Sequence, residues 1–106
     1  MARKWALGSR LVSKLRKSAR GQACLVRLPG VCNFNPETTI LAHLGGAGMG
    51  RKQPDLLGAF CCSDCHANID GAVKSIFNKD YLKMSFLDGM VRTQQYWLEN
   101  GLVKIN

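Results

Sequence analysis

Apolar residues fall into short groups along the chain, and their spacing changes from one group to the next. Leu7, Leu11 and Leu15 recur at four-residue steps with Val12 alongside, which predicts a short amphipathic helix ending near Gly21. From Ala23 to Cys32, Leu28-Pro29-Gly30 separates Leu25-Val26 from Val31. Pro and Gly there predict a turn between two short extended pieces, a small hairpin with a cysteine at each end. Asn33 to Thr39 is turn-rich, and Thr39 to Leu44 then reads as a buried strand that delivers His43 near its end. A loop with four glycines, Gly45 to Pro54, follows. Leu56 to Phe60 is an apolar run leading into Cys61-Cys62-Ser63-Asp64-Cys65-His66. Ser63 suits an N-cap, Asp64 the positive end of a helix dipole and Gly71 a helix stop, so a helix is expected from about Asp64 to Asp70. Finally, Leu82, Phe86, Met90, Thr93 and Trp97 step by three and four residues before Gly101, predicting one long helix from Lys79 to Asn100 with Gly89 as its weak point. No internal repeat or low-complexity stretch interrupts this order.

Charge sharpens the picture. The net charge is +8 over 106 residues, and residues 1 to 36 hold Arg3, Lys4, Arg10, Lys14, Arg16, Lys17, Arg20 and Arg27 with no acid, while the remainder is neutral. A basic arm or helix over residues 1–22 joined to a neutral domain over 23–106 is the footprint of a polyanion binder. A solvated arm that only aids solubility has the same charge, and an acid-free, Arg- and Ser-containing start also resembles an organellar transit peptide. Arg16, Lys17, Arg20, Arg51 and Lys52 are the candidate phosphate contacts. The glycine loop lacks the Gly-Lys-Ser/Thr of a P-loop, so its glycines read as a flexible connector. Trp5 and Trp97 could stack on bases, although helical spacing puts Trp97 in a core. No run approaches the roughly 20 apolar residues of a membrane span, and a soluble, cytoplasmic protein is expected.

Five cysteines, Cys24, Cys32, Cys61, Cys62 and Cys65, make an odd set with two adjacent members, which argues against a disulfide framework and for reduced, metal-binding thiols. Cys24 with Cys32 and Cys62 with Cys65 form two local pairs, the usual way to surround a structural Zn²⁺. CxxC at a helix start is also a redox pattern, but no thioredoxin-like strand and helix alternation precedes it. Cys61 faces away from its neighbour and reads as a buried apolar thiol. The chain has two histidines, His43 and His66. Asp70 lies four residues beyond His66, on the same helix face, so the two can either bind a divalent cation together or simply hydrogen-bond to each other.

The order of a strand ending in His43, a loop with Asp55, and Cys62-Ser63-Asp64-Cys65-His66 resembles the HNH endonucleases. It is more similar still to the small YbcO-type nucleases of lambdoid prophages, through Leu15 to Gly21, Cys24 to Cys32, Asn35-Pro36-Glu37-Thr38, Leu41-Ala42-His43, Pro54-Asp55-Leu56, Cys62 to Asp70 and Gly89 to Gln94. The resemblance implies an α+β fold, a zinc-bound treble clef with a ββα-metal core, flanked by the basic N-terminal helix and the long C-terminal one. It makes His43 the general base, Asp55 the residue that holds the loop and orients His43, and His66 a ligand of a catalytic cation such as Mg²⁺ or Mn²⁺, with Asp70 as a second ligand. Ala42 stands where many members carry another ligand, which implies a weakly held cation completed by water and phosphate.

The reaction so implied is hydrolysis of a phosphodiester in nucleic acid, DNA above all, with in-line attack by a water that His43 deprotonates. A second class of function keeps the zinc and the basic arm without catalysis: a treble-clef nucleic-acid or protein adaptor. It accounts for the cysteines and the charge, but gives no reason for His43, Asp55, His66 and Asp70 to fall in this order. Substrate structure, nicking against double-strand cutting and oligomeric state are not written in the sequence.

Overall fold

The computed structural model describes residues 14–43 and 54–104. Along them run a helical turn over residues 14–18 (α1), a 3-10 turn at Pro36–Thr38, a strand Ile40–Ala42 (β1), a second 3-10 turn at Asp55–Leu57, a strand Ala59–Cys61 (β2), and helices Ser63–Asp70 (α2) and Lys79–Glu99 (α3). It is a small α+β structure with a two-stranded sheet. β1 and β2 are antiparallel, pairing Ile40 with Cys61, Leu41 with Phe60 and Ala42 with Ala59.

Alternation along the strands divides the interior in two. Successive side chains leave opposite faces of a sheet, so Ala42, Ala59 and Cys61 join Val26, Leu28, Phe86 and the other cysteines, while Leu41 and Phe60 join Leu15, Ala19 and Trp97. α3 serves both clusters because it is long enough to place Phe86 in one and Trp97 in the other. Trp97 is therefore core, its indole Nε1 donating to Ser18 Oγ at 2.8 Å and its ring edge-on to Phe60. Leu15 and Ala19 are fully buried, so α1 is docked on the body along its apolar side. Leu7, Leu11, Val12 and Trp5 lie outside the described residues.

Phe60 turns its amide and carbonyl away from β1. The amide donates to Thr93 Oγ1 at 3.0 Å, Thr93 Oγ1 donates in turn to Gly89 O at 2.7 Å, and the carbonyl accepts Leu25 N at 2.9 Å. Helix and loop thus cover a sheet edge that would otherwise expose unpaired groups. The expected weak point of α3 is not a break. Gly89 is where Val26 packs, and a Cβ there would lie 2.8 Å from Val26 Cγ2 and 3.0 Å from its Cα.

The expected hairpin from Ala23 to Cys32 is a pair of turns without strand pairing. Its closing bonds run from Val31 N and Cys32 N to Leu28 O, and Gly30 takes a positive φ of 71°. The cysteines dictate this: a knuckle that points a sulfur inward is tighter than a ladder. α2 begins one residue earlier than expected, with Cys62 as N-cap accepting Cys65 N on its sulfur, and ends at Gly71 with φ 83°. Asn78, whose side chain accepts Tyr81 N, caps α3.

Candidate active site and metal centre

The two cysteine pairs converge. The sulfurs of Cys24, Cys32, Cys62 and Cys65 all lie within 4.8 Å of one another, and all four residues are buried. Cys62 Sγ and Cys32 Sγ are 3.9 Å apart, close to the edge of about 3.8 Å that a tetrahedron with Zn–S bonds of about 2.3 Å requires. Each pair also carries the same local device: Arg27 N donates to Cys24 Sγ at 3.5 Å, and Cys65 N to Cys62 Sγ at 3.4 Å. Such second contacts orient a metal's ligands. Cys61 joins this face of β2, fully buried. Thiol hydrogens from Cys61 and Cys65 directed at Cys24 hold its thiol far below the ordinary range and push Cys61 and Cys65 up, while burial pushes Cys32 up to about 11. Four buried sulfurs converging on one point fit a divalent cation, whose charge would favour all four thiolates at once.

The histidines sit in two separate groups. His43 follows β1 directly, and its Nε2 lies 2.6 Å from Asp55 Oδ1. Asp55 opens the 3-10 turn before β2, with its side chain only 2% exposed, and Arg16 of α1 reaches it from the other side. Arg16 Nε donates to Oδ1 at 3.3 Å and lies 3.0 Å from Oδ2, off the hydrogen-bonding direction. The three residues form a chain, Arg16 to Asp55 to His43, that runs from half-exposed guanidinium through buried carboxylate to a ring 21% exposed. A buried carboxylate needs a counter-charge, and Arg16 provides it. The pairing spans 39 residues of sequence and no local pattern announces it, so Arg16 is the site residue whose structural partner the sequence hid.

His66 and Asp70 form the second group, on one face of α2, with His66 Nε2 3.6 Å from Asp70 Oδ2 and both half-exposed. Asp70 Oδ1 accepts Ala72 N at 2.9 Å, which fixes the carboxylate and leaves the other oxygen toward His66. An imidazole and a carboxylate at this spacing are a donor set for a divalent cation such as Mn²⁺ or Mg²⁺. Among the described residues no hydrogen bond or ion pair joins His66 and Asp70 to His43 and Asp55, and the cysteine quartet is the one cluster of three or more potential ligands. Asn33 ties the first knuckle to α2, its Nδ2 donating to Ser63 Oγ at 3.1 Å and Asp64 Oδ2 at 2.9 Å. Of the candidate phosphate contacts, Lys17 and Arg20 are exposed beside Arg16, whereas Arg51 and Lys52 lie outside the described residues.

A family model described as "Putative nuclease YbcO" matches residues 13–102. The chain belongs to the YbcO family. Two relatives, "Putative nuclease YbcO" of Escherichia coli (strain K12) and "Putative nuclease ybcO" of Enterobacteria phage 82, are each 48% identical over 96 residues, covering 88% of this chain and 99% of theirs. Of the solved structures, "Structure of a putative bacteriophage protein from Escherichia coli str. K-12 substr. MG1655" superposes with a TM-score of 0.73 at 45% identity, covering 83% of this chain and all of that one. The family match runs over residues 13–102, the stretch that contains the cysteine quartet, both histidine groups and α3. No helix among the described residues is long and apolar enough to cross a membrane.

Proposed function

We propose that this YbcO-family protein is a metal-dependent endonuclease of the HNH kind that hydrolyses phosphodiester bonds in DNA on a zinc-stapled, treble-clef-like body. The observation that carries this is the 2.6 Å contact between His43 and Asp55. A buried carboxylate fixed by Arg16 holds one ring nitrogen and leaves the other for a water, which is what a general base requires. The family's nuclease name and the excess positive charge in the first 36 residues point to the same chemistry from independent directions.

His43 takes a proton from the attacking water and Asp55 keeps the ring oriented as it becomes charged. Arg16 is a positioning residue that acts on His43 through Asp55. His66 and Asp70 would hold the catalytic cation, whose chemistry when bound is to stabilise charge on the phosphate oxygens. Lys17, Arg20, Arg51 and Lys52 bind phosphates and give affinity that falls with salt. The cysteine quartet holds a structural Zn²⁺ and takes no part in bond breaking.

The adaptor reading, a zinc-stapled nucleic-acid binder without catalysis, draws support from the lack of a direct bond between the two histidine groups. Plasmid nicking with Mg²⁺, Mn²⁺ or Ni²⁺ decides between them. The parent protein is expected to nick and His43→Ala to lose at least about 100-fold, the low end of general-base contributions. Equal cleavage by both, or none by either with any of the metals, would overturn the nuclease assignment.

A further inference from the structure

Beside α2 lies a groove of 680 Å³ whose walls include Asp70, Val73, Phe77, Lys79, Leu82 and Lys83. Its lining is mostly apolar, its α3 wall carries two cations, and Asp70 is part of the opposite wall. Lys79 and Lys83 are one helical turn apart on α3, which puts their stems about 6 Å from each other on one face. Both are exposed, and neither pairs with an acid among the described residues. From Gly71 to Lys83 three lysines stand against the single acid Asp80. Phe77, half-buried in the groove lining, stacks on the exposed Tyr81 with ring centroids 4.5 Å apart and planes at 16°, so an aromatic ring stands beside the lysines.

We propose that this groove is a subsite for a single nucleic-acid strand flanking the reacting phosphate. Adjacent phosphates meet Lys79 and Lys83, and the sugars and bases lie against Val73, Phe77 and Leu82. Cations beside an aromatic platform are the combination that a single strand uses, since the phosphates need charge and every base has a face to stack. The volume is that of a pocket for a drug-sized ligand, enough for a short stretch of one strand and too small for a duplex. The proposal rests on the nuclease reading only for its direction: Asp70 both lines the groove and is a candidate ligand of the catalytic cation, so a strand lying in it passes beside the reaction centre.

The test is fluorescence anisotropy of the full chain with a labelled DNA oligonucleotide, single-stranded and duplex, without added divalent cation, run beside plasmid nicking. Lys79→Gln with Lys83→Gln is expected to weaken single-strand binding about tenfold and to flatten the log–log salt dependence by about 1.4, two phosphate contacts at about 0.7 each for single strands. Phe77→Leu, which keeps the apolar bulk and removes the ring, is expected to weaken single-strand binding more than duplex binding. Lys104→Gln, a single exposed charge beyond the other end of α3, serves as control and changes the slope little. An unaltered melting temperature shows that the fold is kept in each. Unchanged affinity and slope in the double lysine variant overturn the subsite even if the parent nicks plasmid. A flattened slope in a protein that never nicks leaves the subsite standing and removes the nuclease reading instead.

Discussion

The cysteine quartet and the histidine groups are both assembled around the same short sheet, yet they are built on opposite terms. The quartet is closed: four buried sulfurs converge within 4.8 Å, and backbone amides donate to two of them. The histidines are open, at 21% and 34% side-chain exposure, and fall into two pairs with no bond between them. A structural metal site completes itself from its own chain, whereas a catalytic one keeps positions free for water and substrate. On the proposed function, the difference separates the contacts that hold the fold from those that would meet a phosphate. Only Arg16 and Asp55 do both, since their ion pair docks α1 while it fixes His43.

The largest expected effect sharpens the closed half. If the quartet holds the proposed Zn²⁺, Cys62→Ser or Cys65→Ser removes a ligand, and binding of structural zinc is worth on the order of 10 kcal/mol in small domains. Loss of the cooperative thermal transition is expected, with less than one zinc retained per chain by metal analysis. A variant that melts like the parent would show that the quartet is not a metal site. His43→Ala breaks the open half alone: nicking falls at least about 100-fold, while zinc content and melting temperature stay near the parent's.

Arg16 tests the residue that belongs to both. Arg16→Gln leaves Asp55 buried without its guanidinium, so the carboxylate no longer holds the His43 ring in one orientation. The nicking rate at saturating DNA is expected to fall about tenfold, less than for loss of the base itself. Arg16→Lys should restore part of it. An unchanged rate at saturating DNA with lowered stability would reduce Arg16 to a structural contact. The smallest effect, and the only one with an unusual sign, is at Gly89. Gly→Ala inside a helix ordinarily stabilises by about 1 kcal/mol, but the Cβ would meet the Val26 backbone at 3.0 Å, so Gly89→Ala is expected to destabilise by about 1–3 kcal/mol in denaturant melts.

Sequence alone carried the elements whose signals are local. The CxxC at the start of α2, its Gly71 stop and the three- and four-residue apolar steps of α3 all rest on i to i+4 geometry, which a chain displays without knowing its fold. The Cys62 and Cys65 half of the quartet was legible for the same reason, and so was the i, i+4 pair of His66 and Asp70, whereas Cys24 and Cys32, eight residues apart, were paired through an expected hairpin. Tertiary structure decided the rest. The segment from Cys24 to Cys32 folds as tight turns instead of a hairpin and brings its two sulfurs within 4.8 Å of those of Cys62 and Cys65. Gly89 became a packing contact instead of a helix weakness, because Val26 arrives from 63 residues away. Arg16, which the charge pattern placed among the phosphate contacts, has its Nε turned to Asp55, because a carboxylate buried at the sheet end takes the nearest cation, however distant that cation is in the chain.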